Sequence, residues 1–159
     1  MPNEPVKLPL IGTPTVEIQP PPTAPNMPSV NLPDAAIGRT MGIEGMKAMV
    51  RAVYRNLAHS SVAGLFPFEE ERLMAAADKS ALFFTMICGG PRDYEQLHGA
   101  PRLRARHQPF PIDEKARQEW LSCWAPVLEE APAKHGFPAE YMPGFRAYLI
   151  NFSYWMVNR

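Results

Sequence analysis

Cysteine, long apolar runs and an excess of either charge are all scarce in this chain of 159 residues. Its two cysteines, Cys88 and Cys123, form no Cys-x-x-Cys pair and its four histidines are scattered, which argues against a zinc site and favours reduced thiols in the cytoplasm. No apolar stretch reaches the roughly 18 residues of a membrane span, and no secretory signal is recognisable. Sixteen basic and sixteen acidic residues cancel, so we expect neither a nucleic acid nor a membrane as partner.

Proline, by contrast, is abundant and unevenly distributed. Ten of the 19 prolines fall within residues 1–34, around the run Pro20-Pro21-Pro22. Because proline fixes φ and lacks an N–H, this segment is predicted to be extended, largely as polyproline II. It is either a loose tail or a strap that lies along the domain or binds a partner, and its apolar residues favour partial docking. We therefore divide the chain into a Pro-rich N-terminal extension at 1–34 and a domain at 35–159.

From about residue 35 onward, apolar residues recur at three- and four-residue spacing, which is typical of amphipathic helices. No stretch alternates with period two, so the domain is predicted to be all-α. One short helix is expected near 102–107, within a loop-rich segment at 91–111 that holds four prolines and four arginines. The long helices are predicted at about 43–58, 69–88, 113–130 and 139–158.

One histidine is notable for its surroundings. His107 lies in a basic, proline-containing run at 104–110, between two strongly apolar helices. A neutral imidazole is a good ligand for haem iron, and arginines can pair with haem propionates, although a surface histidine in a basic loop is the commoner case. Tyr54 lies on the apolar face of the first long helix, and Trp120 lies on that of the helix after His107. Buried O–H and N–H donors need partners, which a polar iron ligand or the protein backbone could supply.

Three stretches of the sequence resemble the group II truncated haemoglobins. They read GGPRDY at 89–94, HGAPRLRARHQPF at 98–110 and WLSC at 120–123. The corresponding family patterns are GGPxxY, HGHPxLRxRHxPF and WLxCM. The resemblance covers roughly residues 38–158 and leaves the Pro-rich extension outside it. It implies a truncated globin, that is, a 2-on-2 helical sandwich, with haem b as its cofactor.

The resemblance also implies a role for each matching residue. His107 matches the proximal ligand of the haem iron, Tyr54 matches the distal tyrosine that hydrogen-bonds an iron-bound ligand, and Trp120 matches the distal tryptophan. Ala76 and Ser80 match the two positions of the distal helix that face the ligand. The other matched positions are expected to contact the haem or its propionates: Phe66, Lys79, Phe83, Met86, Ile87, Tyr94, Arg104, Arg106 and Phe110.

Some positions depart from the family pattern. Ala100 replaces the second histidine of HGHP, and Phe66 stands where group II members often have tyrosine. Ala76 cannot form a side-chain hydrogen bond, and Ser80 is shorter than the glutamine or leucine often found there. The distal side is therefore expected to depend on the tyrosine and the tryptophan, with a smaller contribution from the serine.

The resemblance implies a five-coordinate haem iron that binds dioxygen or other diatomic ligands. Donors aimed at the ligand predict slow dioxygen release, which suits redox chemistry on nitric oxide or peroxide, with a reductase, better than simple oxygen transport. The alternatives are a haem-based sensor or interaction module acting through the Pro-rich extension, and a globin-like scaffold without haem. Whether the protein is an enzyme, and whether it is a monomer or a homodimer, stay open at this point.

Overall fold

The protein folds as α-helices joined by short connections in a computed structural model that describes residues 27–159. No strand occurs within that range, and the all-α prediction is confirmed. Two 3₁₀ turns, Ala63–Leu65 and Ala139–Tyr141, precede the second and the last helix. The helices are α1 (Ala36–Leu57), α2 (Glu70–Ile87), α3 (Asp93–His98), α4 (Leu103–His107), α5 (Glu114–Lys134) and α6 (Met142–Tyr154).

Helix α1 starts at Ala36, before the predicted residue 43, because a short helical turn precedes the predicted helix and the two are separated by a break at Gly42. Gly42 has φ +69° and ψ 172°, a backbone conformation that residues with a Cβ avoid. The predicted helix at 43–58 is the part of α1 that follows this break. The preceding turn lies against the end of α2, where the Gly38 N–H donates to the Cys88 carbonyl at 2.9 Å. A Cβ on Gly38 would lie 2.6 Å from that oxygen, so the contact requires glycine.

The predicted end of α5 was wrong, because the helix runs past residue 130 to Lys134 with Pro126 and Pro132 inside it. Both proline rings are exposed, whereas Val127, Leu128 and Ala131 are buried against the core. Burial of that face outweighs the local cost of the prolines.

Two further helices differ from the predictions, one in its existence and one in its end. Helix α3 was missed within 91–111; it is held by Tyr94, which is buried, and by an ion pair between Arg92 and Glu95 at 2.7 Å. Helix α6 ends at Tyr154, four residues short of the predicted end, and residues 155–158 turn away to contact α4 and the segment that follows it.

The core lies where the apolar faces of α1, α2, α5 and α6 meet. Its largest fully buried side chains include Trp124, Tyr148, Phe145 and Met46. Each such side chain contributes about 1.5–3 kcal/mol by leaving water. Both cysteines are free and buried, and burial raises the pKa of the Cys88 thiol. Across residues 27–159, no helix combines the length and apolar character that crossing a bilayer would require.

The end of the Pro-rich segment packs on the helices. Val30 is 2% exposed, and the carbonyl oxygen of Pro28 accepts a hydrogen bond from Trp155 Nε1 at 2.7 Å. Residues 27–34 are thus docked against the domain. Residues 1–26 of the extension lie outside the described part of the chain.

Replacing Val30 by alanine tests whether this docking stabilises the fold. We expect the free energy of unfolding to fall by about 2 kcal/mol, because two buried methyl groups are lost and a cavity is left. Urea denaturation followed by circular dichroism measures the change. Ser29→Ala, at an exposed neighbouring position, is the matched control. A loss below about 0.5 kcal/mol for Val30→Ala would contradict a stabilising contact.

Candidate functional site

A cavity of about 310 Å³ opens between the helices, with walls from α1, α2, α4, α5 and α6. Most of its lining is apolar or aromatic, which is typical of a site for a flat organic cofactor. The structure brings most of the predicted site residues to this one cavity. They are Tyr54, Phe66, Ala76, Lys79, Ser80, Phe83, Tyr94, Arg106, His107, Phe110 and Trp120.

His107 is the last residue of α4 and contributes its imidazole to the cavity wall. Its Nδ1 lies 2.7 Å from the carbonyl oxygen of Leu103, one turn earlier. A carbonyl can only accept, so we assign the proton to Nδ1, which leaves the lone pair on Nε2. Burial lowers the pKa of His107 below its usual value, and the bond to Leu103 partly offsets this. The side chain is therefore an oriented, neutral imidazole with a free ring nitrogen, the form that binds a metal.

Tyr54, Ser80 and Phe66 form a second cluster on the wall made by α1, α2 and the connection between them. Burial raises the pKa of Tyr54, and a side-chain hydrogen bond with Ser80 partly opposes the rise. The phenol therefore stays protonated at neutral pH and can act as a donor. The Phe66 ring packs edge-on against Tyr54, with 5.5 Å between the ring centroids, and fixes the plane of the phenol.

Trp120 reaches the cavity from α5, where its ring packs edge-on against Trp124 at 5.8 Å. Trp124 is buried in the core, so the Trp120 ring has a rigid support. Phe83 supports the wall in the same way, packing against Tyr94 at 5.8 Å and Phe152 at 6.0 Å. The aromatic walls are therefore extensions of the core.

The two arginines expected at haem propionates or at the haem edge both donate to backbone carbonyls. Arg106 donates from Nε to the Pro101 carbonyl at 2.6 Å and from Nη2 to the His98 and Ala100 carbonyls at 2.7 and 3.2 Å. Arg104 donates from Nη1 to the carbonyl of Trp155 and does not line the cavity. Arg106 still lines the cavity. Both side chains hold the loop and helix that carry His107.

Met86 and Ile87 also lie outside the cavity lining, although they were expected at the apolar edge of the haem. Both are buried in the core near the end of α2. The cavity wall of α2 ends one turn earlier, at Phe83 and Phe84, so the helix carries the two later residues past it.

Sequence reasoning missed several residues of the wall. Leu103 sits one helical turn before His107, a spacing that could have revealed it. Others come from distant elements and left no local signal. The missed residues are Val62, Leu65, Phe84, Leu103, Ile112, Ala116, Arg117, Phe152, Ser153 and Met156.

Arg117 is the unexpected member of this group, because it is a buried cation at an apolar wall. It is 7% exposed and donates to Glu114 at 2.7 Å, to the Ser153 hydroxyl at 3.0 Å and to the Ile150 carbonyl at 3.1 Å. These acceptors occupy all three guanidinium nitrogens, so Arg117 joins α5 to α6 along the edge of the cavity.

The residues present fit a haem group. The cavity is apolar, one wall offers a single imidazole with a free nitrogen, and another offers hydroxyl and indole donors. Lys79 lines the cavity, and its ammonium makes no hydrogen bond or ion pair with the described residues, so it is free to pair with a carboxylate. Within residues 27–159 no group of three or more His, Cys, Asp or Glu side chains could hold a metal ion by itself.

Comparison with known proteins agrees with this geometry. A family model described as bacterial-like globin matches residues 36–145. The chain is 36% identical over 102 residues to the group 2 truncated hemoglobin YjbI of Bacillus subtilis (strain 168), covering 64% of this chain and 72% of that protein.

Solved structures extend the similarity to the three-dimensional fold. Phosphate-bound Hell's gate globin IV superimposes with a TM-score of 0.77 at 35% identity, over 83% of this chain and 80% of that one. The group II truncated hemoglobin from Bacillus anthracis gives a TM-score of 0.68 at 30% identity, over 80% and 91% of the two chains. The expected 2-on-2 helical sandwich is thereby confirmed. The chain belongs to the bacterial-like globin family and, within it, to the group II truncated haemoglobins.

Proposed function

We propose that this protein holds haem b through His107 and binds dioxygen or another diatomic ligand at a five-coordinate iron. The observation that carries the proposal is the bond from His107 Nδ1 to the Leu103 carbonyl, which leaves Nε2 free at the wall of an apolar cavity. Haem supplies an iron centre that binds small ligands and exchanges electrons. Neither cysteine lines the cavity, which favours haem held without a thioether bond.

The polar groups of the cavity divide the remaining tasks. Lys79, which has no hydrogen-bond or ion-pair partner among residues 27–159, suits a haem propionate, and Arg106 adds positive charge at the same cavity. Tyr54 and Trp120 add an O–H and an N–H donor to a mostly apolar cavity, where each hydrogen bond to a polar ligand is stronger than in water.

Strong donors imply slow release of dioxygen, and slow release disfavours oxygen transport as the main role. Turnover of nitric oxide or peroxide fits better, with electrons from a reductase or another reducing partner. The cytoplasm, where reductants are plentiful and both thiols would stay reduced, suits such a reaction.

Replacing His107 by alanine tests the haem site. We expect the purified variant to lose the Soret band, because no other imidazole lines the cavity. His59→Ala is the matched control, since His59 is exposed, lies outside the cavity lining and places its Nδ1 3.0 Å from the Arg55 carbonyl. Added imidazole should restore the band in His107→Gly by occupying the vacated space. A wild-type Soret band in folded His107→Ala would contradict the assignment.

Replacing Tyr54 by phenylalanine tests the ligand side. We expect dioxygen to dissociate about tenfold faster, because one hydrogen bond to a polar ligand is lost while the ring is kept. Stopped-flow spectroscopy measures the rate. Tyr141→Phe removes a hydroxyl outside the cavity and should leave the rate unchanged. An unchanged rate in Tyr54→Phe would show that the phenol does not contact the ligand.

A haem-based sensor is the second candidate, because one hydrogen-bonded route joins the Pro-rich extension to the haem side. Pro28 accepts from Trp155 Nε1, and the Trp155 carbonyl accepts from Arg104 on α4. Two shortened proteins, one starting at Met27 and the other at Ala35, test whether residues 27–34 influence the haem site. If residues 27–34 modulate the site, only the chain starting at Ala35 should change its rate of dioxygen release. Equal rates in both shortened chains and the full chain would count against this candidate.

A further inference from the structure

We propose that Asn158 is the positioning residue that holds His107 at the cavity wall. The inference rests on the proposed role of His107 as the iron ligand. It concerns a residue four positions beyond the last helix, outside the cavity lining and far from His107 in sequence.

Helix α4 cannot hold an imidazole in place by itself. It has five residues, and isolated helices shorter than about 12–15 residues are marginal in water. It ends at His107, so within this segment the His107 carbonyl accepts only from the Phe110 N–H of the following turn, at 3.0 Å. The connection that follows contains Pro109 and Pro111, which cannot donate backbone hydrogen bonds. The position of the ring therefore depends on bonds from other parts of the chain.

Asn158 supplies those bonds. Its side-chain Nδ2 donates to the carbonyls of His107 at 3.1 Å and Phe110 at 2.9 Å. Its Oδ1 accepts from the Ile112 N–H at 2.9 Å, and its own N–H donates to the Ile112 carbonyl at 2.8 Å. Four hydrogen bonds from one residue thus span the chain from His107 to Ile112, and every polar atom of the amide is used.

The C-terminal segment that carries Asn158 is itself fixed to the core. Residues 155–158 follow α6, whose Phe145, Leu149 and Phe152 are buried. Trp155 is 7% exposed and holds Arg104 of α4 through its carbonyl. The short helix is therefore bonded at Arg104 and at His107 to the same C-terminal segment, residues 155–158.

Only an amide side chain at position 158 supplies both the donors and the acceptor that these three backbone groups use. The two amide hydrogens go to the Phe110 carbonyl and to the second lone pair of the His107 carbonyl, which already accepts from the Phe110 N–H, and the amide oxygen accepts from the Ile112 N–H. Aspartate keeps the acceptor but turns a negative oxygen toward the carbonyls. Leucine keeps the shape and supplies neither group.

Asn158→Leu and Asn158→Asp test the inference in the haem-loaded protein, with Gln118→Leu as the control that removes an exposed amide elsewhere. We expect haem transfer to excess apomyoglobin to be at least about tenfold faster in both Asn158 variants and unchanged in the control. We also expect the iron–histidine stretching band in the resonance Raman spectrum of the ferrous protein to shift or broaden. A residue that merely stabilises the fold would lower the melting temperature without moving this band.

The outcomes are separable. A folded Asn158 variant with haem loss within about twofold of wild type and an unchanged band overturns the inference. A wild-type protein without a Soret band overturns the proposed function instead. Should neither variant fold, amide hydrogen exchange in the wild type decides, since the Ile112 N–H bonded to Asn158 is expected to be protected. Exchange of that amide at the unprotected rate overturns the inference.

Discussion

The hydrogen bond from His107 Nδ1 to the Leu103 carbonyl is the contact around which the site is arranged. It fixes three properties of the side chain together: the plane of the ring, the tautomer, and the nitrogen that faces the cavity. Burial adds a fourth, because it lowers the pKa of His107 and keeps the ring neutral. All four depend on one turn of helix that is too short to be stable alone. The protein must therefore stabilise that turn from outside.

The arginines of the basic run are explained by this need. Arg104 and Arg106 both donate to backbone carbonyls that surround α4. A guanidinium has five N–H donors in a fixed plane, so it can satisfy several carbonyls of an irregular loop at once. Lysine, with a single ammonium group, could not span the three carbonyls that Arg106 reaches. The positive charge that a haem carboxylate would meet at this wall is thus also a structural support for the loop.

Most of the site could be predicted from local sequence, and the limits have a physical cause. His107 and Trp120 were found because they lie in recognisable stretches of sequence, and Tyr54 because it lies on the apolar face of a predicted helix; the structure places all three around one cavity. Asn158 could not be found, because it meets His107 across a gap of 51 residues and periodicity does not name partners. The same holds for the extra turn of α5, where burial of Ala131 outweighs a proline that locally predicts a stop.

The two sides of the cavity differ in how they are supported, and this difference has a consequence for dynamics. Tyr54 and Trp120 belong to the long helices α1 and α5, each of which has several residues buried in the core. His107 stands on five residues held by side-chain hydrogen bonds. Segments with few buried apolar contacts open locally at lower free energy than core helices. The wall that carries the imidazole is therefore the softer of the two, and residues 155–158, which hold it, are also bonded to Pro28. The Pro-rich segment is therefore joined by hydrogen bonds, through Trp155 and Arg104, to the helix that carries His107.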